Sequence, residues 1–152
     1  MQWHKQIASV LGIGYLKGGG TFAAILYCII WFLLPAGYVD SYWQVAVTLL
    51  IIITGTWSSN QVEKDWGKDS SKVVLDEVAG MAVALLFAPH NYLYLFIGLV
   101  LFRFFDIIKP FGIRKLEKLP GGIGVMADDI LSGIYALIIV RLVVICQANY
   151  FS

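Results

Sequence analysis

The chain has 152 residues, of which 59% are hydrophobic and 14% charged, and its mean hydropathy is +0.78. Soluble domains carry about 25% charged residues, so eleven basic and ten acidic side chains, several of them inside apolar runs, are too few for a water-facing surface of this size. The bilayer is the expected solvent. A net charge of +1 without any block of like charge argues against a nucleic-acid partner. Cys28 and Cys146 lie in apolar stretches without metal or redox spacing and read as buried small hydrophobes.

A spanning helix needs about 20 mostly apolar residues, and five segments approach that length within what reads as one domain, residues 1–152. The first runs from Thr21 to Leu34 and stops at Pro35. The second, Trp43 to Trp57, is rich in Val, Leu and Ile. The third, Val73 to Ala88, is apolar except for Asp76 and Glu77. The fourth, Tyr92 to Ile108, is interrupted by Arg103 and Asp106, and the fifth, Ile130 to Cys146, by Arg141. Tyr42, Trp43, Trp57, Tyr92 and Tyr94 fall near segment ends, where an interfacial aromatic belt would place them. The expected fold is all-α, a polytopic membrane helix bundle of about five segments, with tilt or local thinning accommodating the short ones.

Lys and Arg are retained on the cytoplasmic side. Lys5 and Lys17 precede the first segment, Lys64, Lys68 and Lys72 lie between the second and third, and Lys109, Arg114, Lys115 and Lys118 lie between the fourth and fifth. The alternate loops, Pro35 to Tyr42 and Pro89 to Asn91, and the tail after Cys146 contain none. This alternation predicts five crossings with the N-terminus on the cytoplasmic side and the C-terminus outside. Met1 to Lys17 lacks the pattern of a cleavable signal peptide.

Of the ten carboxylates, only Asp40 is expected on the outer side; Glu63, Asp65, Asp69, Asp76, Glu77, Asp106, Glu117, Asp128 and Asp129 all fall at inner loops or inner helix ends. Ionisable groups in spanning segments are costly and turn toward the bundle interior or a wet cavity. Asp106 at helical spacing from Arg103 or Lys109 could be an interhelical or local ion pair. Asp76 and Glu77 are harder to explain that way, because adjacent helical residues point about 100° apart and one base cannot serve both. Gly80, one turn after Asp76, removes bulk where a backbone or ligand would approach. Asp128 and Asp129, followed by Gly133, repeat the design; a single Asp would suffice as a helix cap. Two acidic pairs with Asp106 form the all-oxygen set that Mg²⁺ prefers. Gly18, Gly19 and Gly20 before Thr21, and Gly121, Gly122 and Gly124 before the fifth segment, could offer free N–H groups to an anion at helix starts. With Lys17, Arg103, Lys109 and Arg114 they suggest a phosphate site at the inner headgroup level.

His90 is expected on the outer side, no Cys is followed by an Arg-bearing phosphate loop, and a Walker loop is absent, so carboxylate and metal chemistry remains. The stretches VLDEVAGM (74–81) and FRFFDIIKPFGIRKLEKLPGGIGVMADDILSGIYA (102–136), with GGGT (18–21) and VEKDWGKD (62–69) more loosely, resemble the phosphatidylglycerophosphatase A family. These are bacterial Mg²⁺-dependent enzymes that remove the phosphate of phosphatidylglycerophosphate. Gly19-Gly20-Thr21 departs from the family's usual Pro-Gly-Thr. The resemblance implies Asp76, Glu77, Asp128 and Asp129 as metal or catalytic carboxylates and also implicates Lys109, with Glu63 and Asp69 expected as further metal ligands and Asp106 as a further catalytic carboxylate. Lys17, Gly20, Thr21, Arg103, Lys109 and Arg114 are the expected substrate contacts, Mg²⁺ the expected cofactor, and phosphatidylglycerophosphate in the inner leaflet the expected partner. Hydrolysis could proceed by carboxylate-activated water or through an aspartyl-phosphate. A small cation transporter or channel with buried carboxylates is the alternative, disfavoured because a pathway should place ionisable groups through the membrane depth. A CDP-alcohol phosphotransferase would need a D-G-x-x-A-R pattern, which is missing.

Overall fold

A computed structural model describes residues 3–39 and 42–150. Asp40, expected on the outer side, lies outside the described residues. All regular structure among the described residues is helical: α1 (Trp3–Ala8), α2 (Gly19–Leu33), α3 (Ala36–Val39), α4 (Tyr42–Trp66), α5 (Leu75–Ala84), α6 (Tyr92–Ile108), α7 (Ile113–Leu116) and α8 (Gly121–Tyr150), with a single 3₁₀ turn at Ile13–Tyr15.

The bundle is apolar outside and small or polar inside. Along α4, Gln44, Thr48, Gly55, Ser58, Ser59 and Val62 turn inward, while Leu49, Leu50, Ile53 and Trp57 are exposed. Along α2, Ala23, Ala24, Tyr27, Cys28 and Trp31 are buried and Phe22, Ile29, Ile30 and Leu33 are not. Water would penalise such a surface, whereas lipid tails are as apolar as leucine, and helices in lipid associate through small residues that let backbones approach. α4 and α8 are each long and apolar enough to cross a bilayer. α2 and α6 are shorter apolar helices of 15 and 17 residues.

α5 is the hub. Its ten residues rise only about 15 Å at 1.5 Å per residue, so the third apolar segment is a short helix followed by turns, enclosed by α2, α4, α6 and α8. Val78 through Ala84 are all buried. The C-terminal end of α5 is held by Gln44, fully buried on α4, whose Nε2 donates to the Leu85 carbonyl (2.8 Å) and whose Oε1 accepts from the Phe87 amide (2.9 Å). Its inner end is reached through the backbone bond from the Val74 amide to the Ala8 carbonyl (2.9 Å), which ties the loop before α5 to α1.

The fourth segment coincides with α6. Asn91 caps it, its side chain accepting from the Leu93 amide at 2.8 Å, and the left-handed turn at Lys109 before Pro110 ends it. α4 runs on from Trp57 to Trp66, and α8 begins at Gly121 rather than near Ile130. Both extra stretches are polar or glycine-rich, invisible to an apolar window yet compatible with helix once packed together. Cys28 is buried, as expected, but Cys146 is exposed on the apolar exterior, where the outer part of α8 leaves the packed core.

Candidate active site

The end of the bundle where α5 begins collects the charges that interrupt the third and fourth apolar segments, whereas Arg141 of α8 donates to the Phe87 carbonyl at the other end (2.8 Å). Asp76 and Glu77 occupy the first turn of α5, where the exposed N–H groups and helix dipole favour anions, and Asp76 Oδ1 accepts from the Glu77 amide at 3.1 Å. Asp129 faces them from α8: one carboxylate oxygen from each of Asp76, Glu77 and Asp129 lies within 4.8 Å of the others. Asp106 of α6 stands beside Asp129.

Two glycines create this approach. Gly80 and Gly133 each lie one helical turn beyond an acidic residue, Asp76 and Asp129, and they meet where α5 crosses α8. A Cβ on Gly133 would overlap the Gly80 carbonyl oxygen, and one on Gly80 would come within 2.7 Å of the Asp129 carbonyl oxygen. What approaches Gly80 is the ring of Phe102 on one side and the backbone of α8 on the other, and the backbone contact sets the two aspartate-bearing helices close together. Gly20, at the start of α2, leaves room for the Glu77 carboxylate, which a Cβ there would strike.

The cations are arranged around the acids. Arg103 Nη1 donates to Asp106 Oδ2 at 2.5 Å, which satisfies the ion pair expected on α6. Lys109 turns away from Asp106 and donates to Asp128 Oδ2 and Glu117 Oε1, both at 2.6 Å. Burial works against its ammonium, but the bonds to Asp128 and Glu117 outweigh that and hold its pKa above the ordinary lysine value. The backbone bends to allow this, since Lys109 itself has φ +50°. An ammonium has three donors, so one is left for a ligand.

Several carboxylate oxygens remain unsatisfied. Glu77 Oε2, Asp129 Oδ2 and Asp128 Oδ1 are buried without a hydrogen-bond partner, and so is Arg103 Nε. Orphaned anionic oxygens are expensive in an apolar interior, and three converging acids, two of them (Glu77 and Asp129) with an unpartnered oxygen, fit a hard divalent cation, which takes oxygen ligands. Asp76, Glu77 and Asp129 are the residues that would hold one.

Other sequence expectations are redistributed. Asp128 and Asp129 lie inside α8, well past its start at Gly121, so neither is a cap. The second glycine cluster is helix rather than flexible loop: Gly122 packs against the backbone of α4, and its amide already donates to Asn60 Oδ1 (2.6 Å). That removes it as an anion cradle. Gly18, with φ +81°, caps α2 in the left-handed region that glycine tolerates. Lys17 and Thr21 are exposed beside it, and Arg114 is exposed on α7. Glu63 lies near Gly121 at the α4–α8 contact, and Asp69, exposed with φ +54°, faces Asp128; neither joins the acidic trio. Sequence reasoning missed Glu117 and Asn60 as partners, because nothing local marks a contact made across a turn or between helices.

A membrane-type helix bundle that gathers carboxylates and two cations at one end is equipped for phosphoryl chemistry. The chain belongs to the phosphatidylglycerophosphatase A family, phosphoric monoester hydrolases, whose pattern matches residues 6–144. It is 41% identical to a Bacteroides thetaiotaomicron protein that bears the provisional name phosphatidylinositol-3-phosphatase, over 86% of this chain and 89% of that one. Identity to the phosphatidylglycerophosphatase A of Escherichia coli is 32% over 87% of this chain and 77% of the relative. For the Haemophilus influenzae phosphatidylglycerophosphatase A it is 40% over 61% and 59%. No solved structure matches the chain.

Proposed function

We propose that this enzyme hydrolyses the terminal phosphomonoester of phosphatidylglycerophosphate at the cytoplasmic face of a bacterial inner membrane, with Mg²⁺ held by Asp76, Glu77 and Asp129. The observation that carries the reading is the trio of converging carboxylates, with unpartnered oxygens on Glu77 and Asp129, set beside an arginine whose Nε is also unpartnered. A bound Mg²⁺ would supply Lewis-acid stabilisation of the charge developing on the phosphoryl oxygens.

The chain's own residues do the rest. Arg103, oriented by Asp106, presents Nε and its second terminal nitrogen to a phosphate dianion. Lys109, fixed by Asp128 and Glu117, offers its third proton and balances charge. Thr21 and Gly20 shape the α2 side, with Lys17 and Arg114 at the aqueous rim. Water attacks phosphorus, forming the new P–O bond as the P–O bond to the glycerol breaks; an acidic side chain of the cluster takes the water's proton and passes it to the departing glycerol oxygen.

The topology proposed with this function has five apolar segments crossing, α5 doing so within the bundle rather than against lipid, and all nine loop cations inside. Labels at Lys68 and Lys118 are then cytoplasmic and one near His90 is external; an external Lys118 would overturn both topology and site placement. The transporter alternative gains no support, since no carboxylate occurs on the outer halves of the described helices.

The test is phosphate release from phosphatidylglycerophosphate by purified protein. Activity with Mg²⁺ and its loss in excess EDTA are expected; full turnover in EDTA rejects the metal. Because the Bacteroides relative is named for a phosphoinositide, phosphatidylinositol-3-phosphate belongs in the same assay, and its preferential hydrolysis would reassign the headgroup while leaving the chemistry.

A further inference from the structure

A groove of about 300 Å³ opens between α2 and α6. Ile25, Ile29 and Leu33 of α2 line one wall, Tyr92, Leu95 and Leu99 of α6 the other, and Cys28 lies at its base. The two helices run antiparallel: α2 starts where Gly20 meets Glu77 and α6 ends with Arg103 and Asp106 beside Asp129, while at the other end Phe32 stacks on His90, just before α6. One turn further toward the inner end, the same two helix faces carry Thr21 and Arg103. The apolar groove thus leads into the charged site along one continuous line, and at the junction Arg103 Nε is buried and unpartnered.

From this continuity we infer that the groove holds one acyl chain of the lipid substrate, seating it so that the headgroup phosphate meets Arg103 and the carboxylates. The inference rests on the proposed lipid-phosphatase function. Its length suits a chain: from Ile25 to Leu33 the helix rises about 12 Å. The hydrophobic effect does not drive the seating, because the chain is already among apolar tails in the bilayer. What the groove supplies is position. A tail lying in it holds the phosphate near the reacting groups, which lowers the entropic part of the barrier.

The experiment compares phosphatidylglycerophosphate carrying long acyl chains with the dihexanoyl form, in detergent micelles, on the purified full chain. Ile29→Trp and Leu95→Trp fill the groove midway from opposite walls, beyond the reach of a short tail. Each should raise KM for the long-chain substrate about tenfold, with kcat and the short-chain KM changing by less than about twofold. Thermal melting checks folding; if the Trp variants unfold, Ile29→Ala and Leu95→Ala remove contacts instead and should raise only the long-chain KM, about threefold. Equal effects on both substrates, or none on either in folded protein, would mean that bulk lipid fills the groove and would overturn the proposal. A change in oligomeric mass with these variants would assign the groove to a second copy and also overturn it. A wild-type enzyme inactive on both substrates rejects the proposed function and the groove with it, whereas an active one without chain-length discrimination among the variants rejects the groove alone.

Discussion

At the outer end of the bundle, the fully buried Gln44 matches each of its amide groups to a backbone partner at Leu85 and Phe87. At the inner end, Asp76, Glu77 and Asp129 converge within 4.8 Å, and buried oxygens of Glu77 and Asp129 meet no donor. Both ends are attached to the same ten-residue helix, α5. The end at Leu85 uses a neutral side chain whose amide nitrogen and oxygen each find a backbone partner, which is how a buried polar group contributes to stability. The inner end accumulates like charge that stability alone would discard. The difference separates what holds α5 in place from what α5 is there to present.

The largest effect should come from removing a member of the acidic trio. Asp129→Asn keeps the volume and removes one anionic ligand, so kcat/KM should fall by about a thousandfold or more, as for loss of a strong electrostatic catalyst. Melting temperature without metal should stay level or rise, because like-charge repulsion is relieved. Near-normal turnover would strike Asp129 from the site.

Next in size is the crossing that aligns the trio. Gly133→Val places a branched side chain where even a Cβ overlaps the Gly80 carbonyl, and forcing α5 from α8 should cost about 1–3 kcal/mol of stability. The folded fraction should also lose activity, since Asp76 and Asp129 separate. A variant that melts lower yet turns over normally per folded molecule would show that the glycine contact serves packing only.

Lys109→Ala should have a smaller effect. It leaves Asp128 and Glu117 without their shared cation, and KM should rise about tenfold, with kcat falling as well if the contact strengthens in the transition state. Lys109→Arg should recover part of the loss. Unchanged kcat and KM in micelles for correctly folded Lys109→Ala would leave this lysine with only a topological role.

How much of this was legible in the sequence depends on the distance over which each contact acts. α6 was readable end to end because its limits are local: an Asn cap and a Lys-Pro break. The acidic residues were readable because charges in apolar runs stand out. The inner extensions of α4 and α8 were not, since Ser58 to Asp65 and Gly121 to Asp129 become helical by packing on each other, as the bond from the Gly122 amide to Asn60 shows. The Gly80–Gly133 crossing was half visible, a glycine one turn from each acid, but only the fold reveals that the two glycines face one another. The partners of Lys109 lie eight and nineteen residues away, beyond any helical periodicity.

The smallest effect on catalysis, and the sharpest test of the comparison, belongs to Gln44. Gln44→Leu is close in size and leaves the Phe87 amide unpaired, while the Leu85 carbonyl keeps its bond from the Ala88 amide (3.1 Å); one unpaired buried group costs about 1–3 kcal/mol in water-soluble proteins. In a bilayer the unfolded reference also finds partners, which favours the lower figure, nearer 1 kcal/mol. Melting temperature should therefore drop by about 2–4 °C, the scale expected for 1 kcal/mol in a chain of this length, with activity per folded molecule unchanged. Gln44→Glu refines the result: it keeps the acceptor for Phe87, loses the donor to Leu85 and adds a charge among apolar neighbours, so it should destabilise more than Leu. If Gln44→Leu instead lost activity at full stability, the outer clamp would be setting the position of Asp76 and Glu77 through the rigid length of α5. The two ends would then be one device, and the separation between holding and presenting would fail.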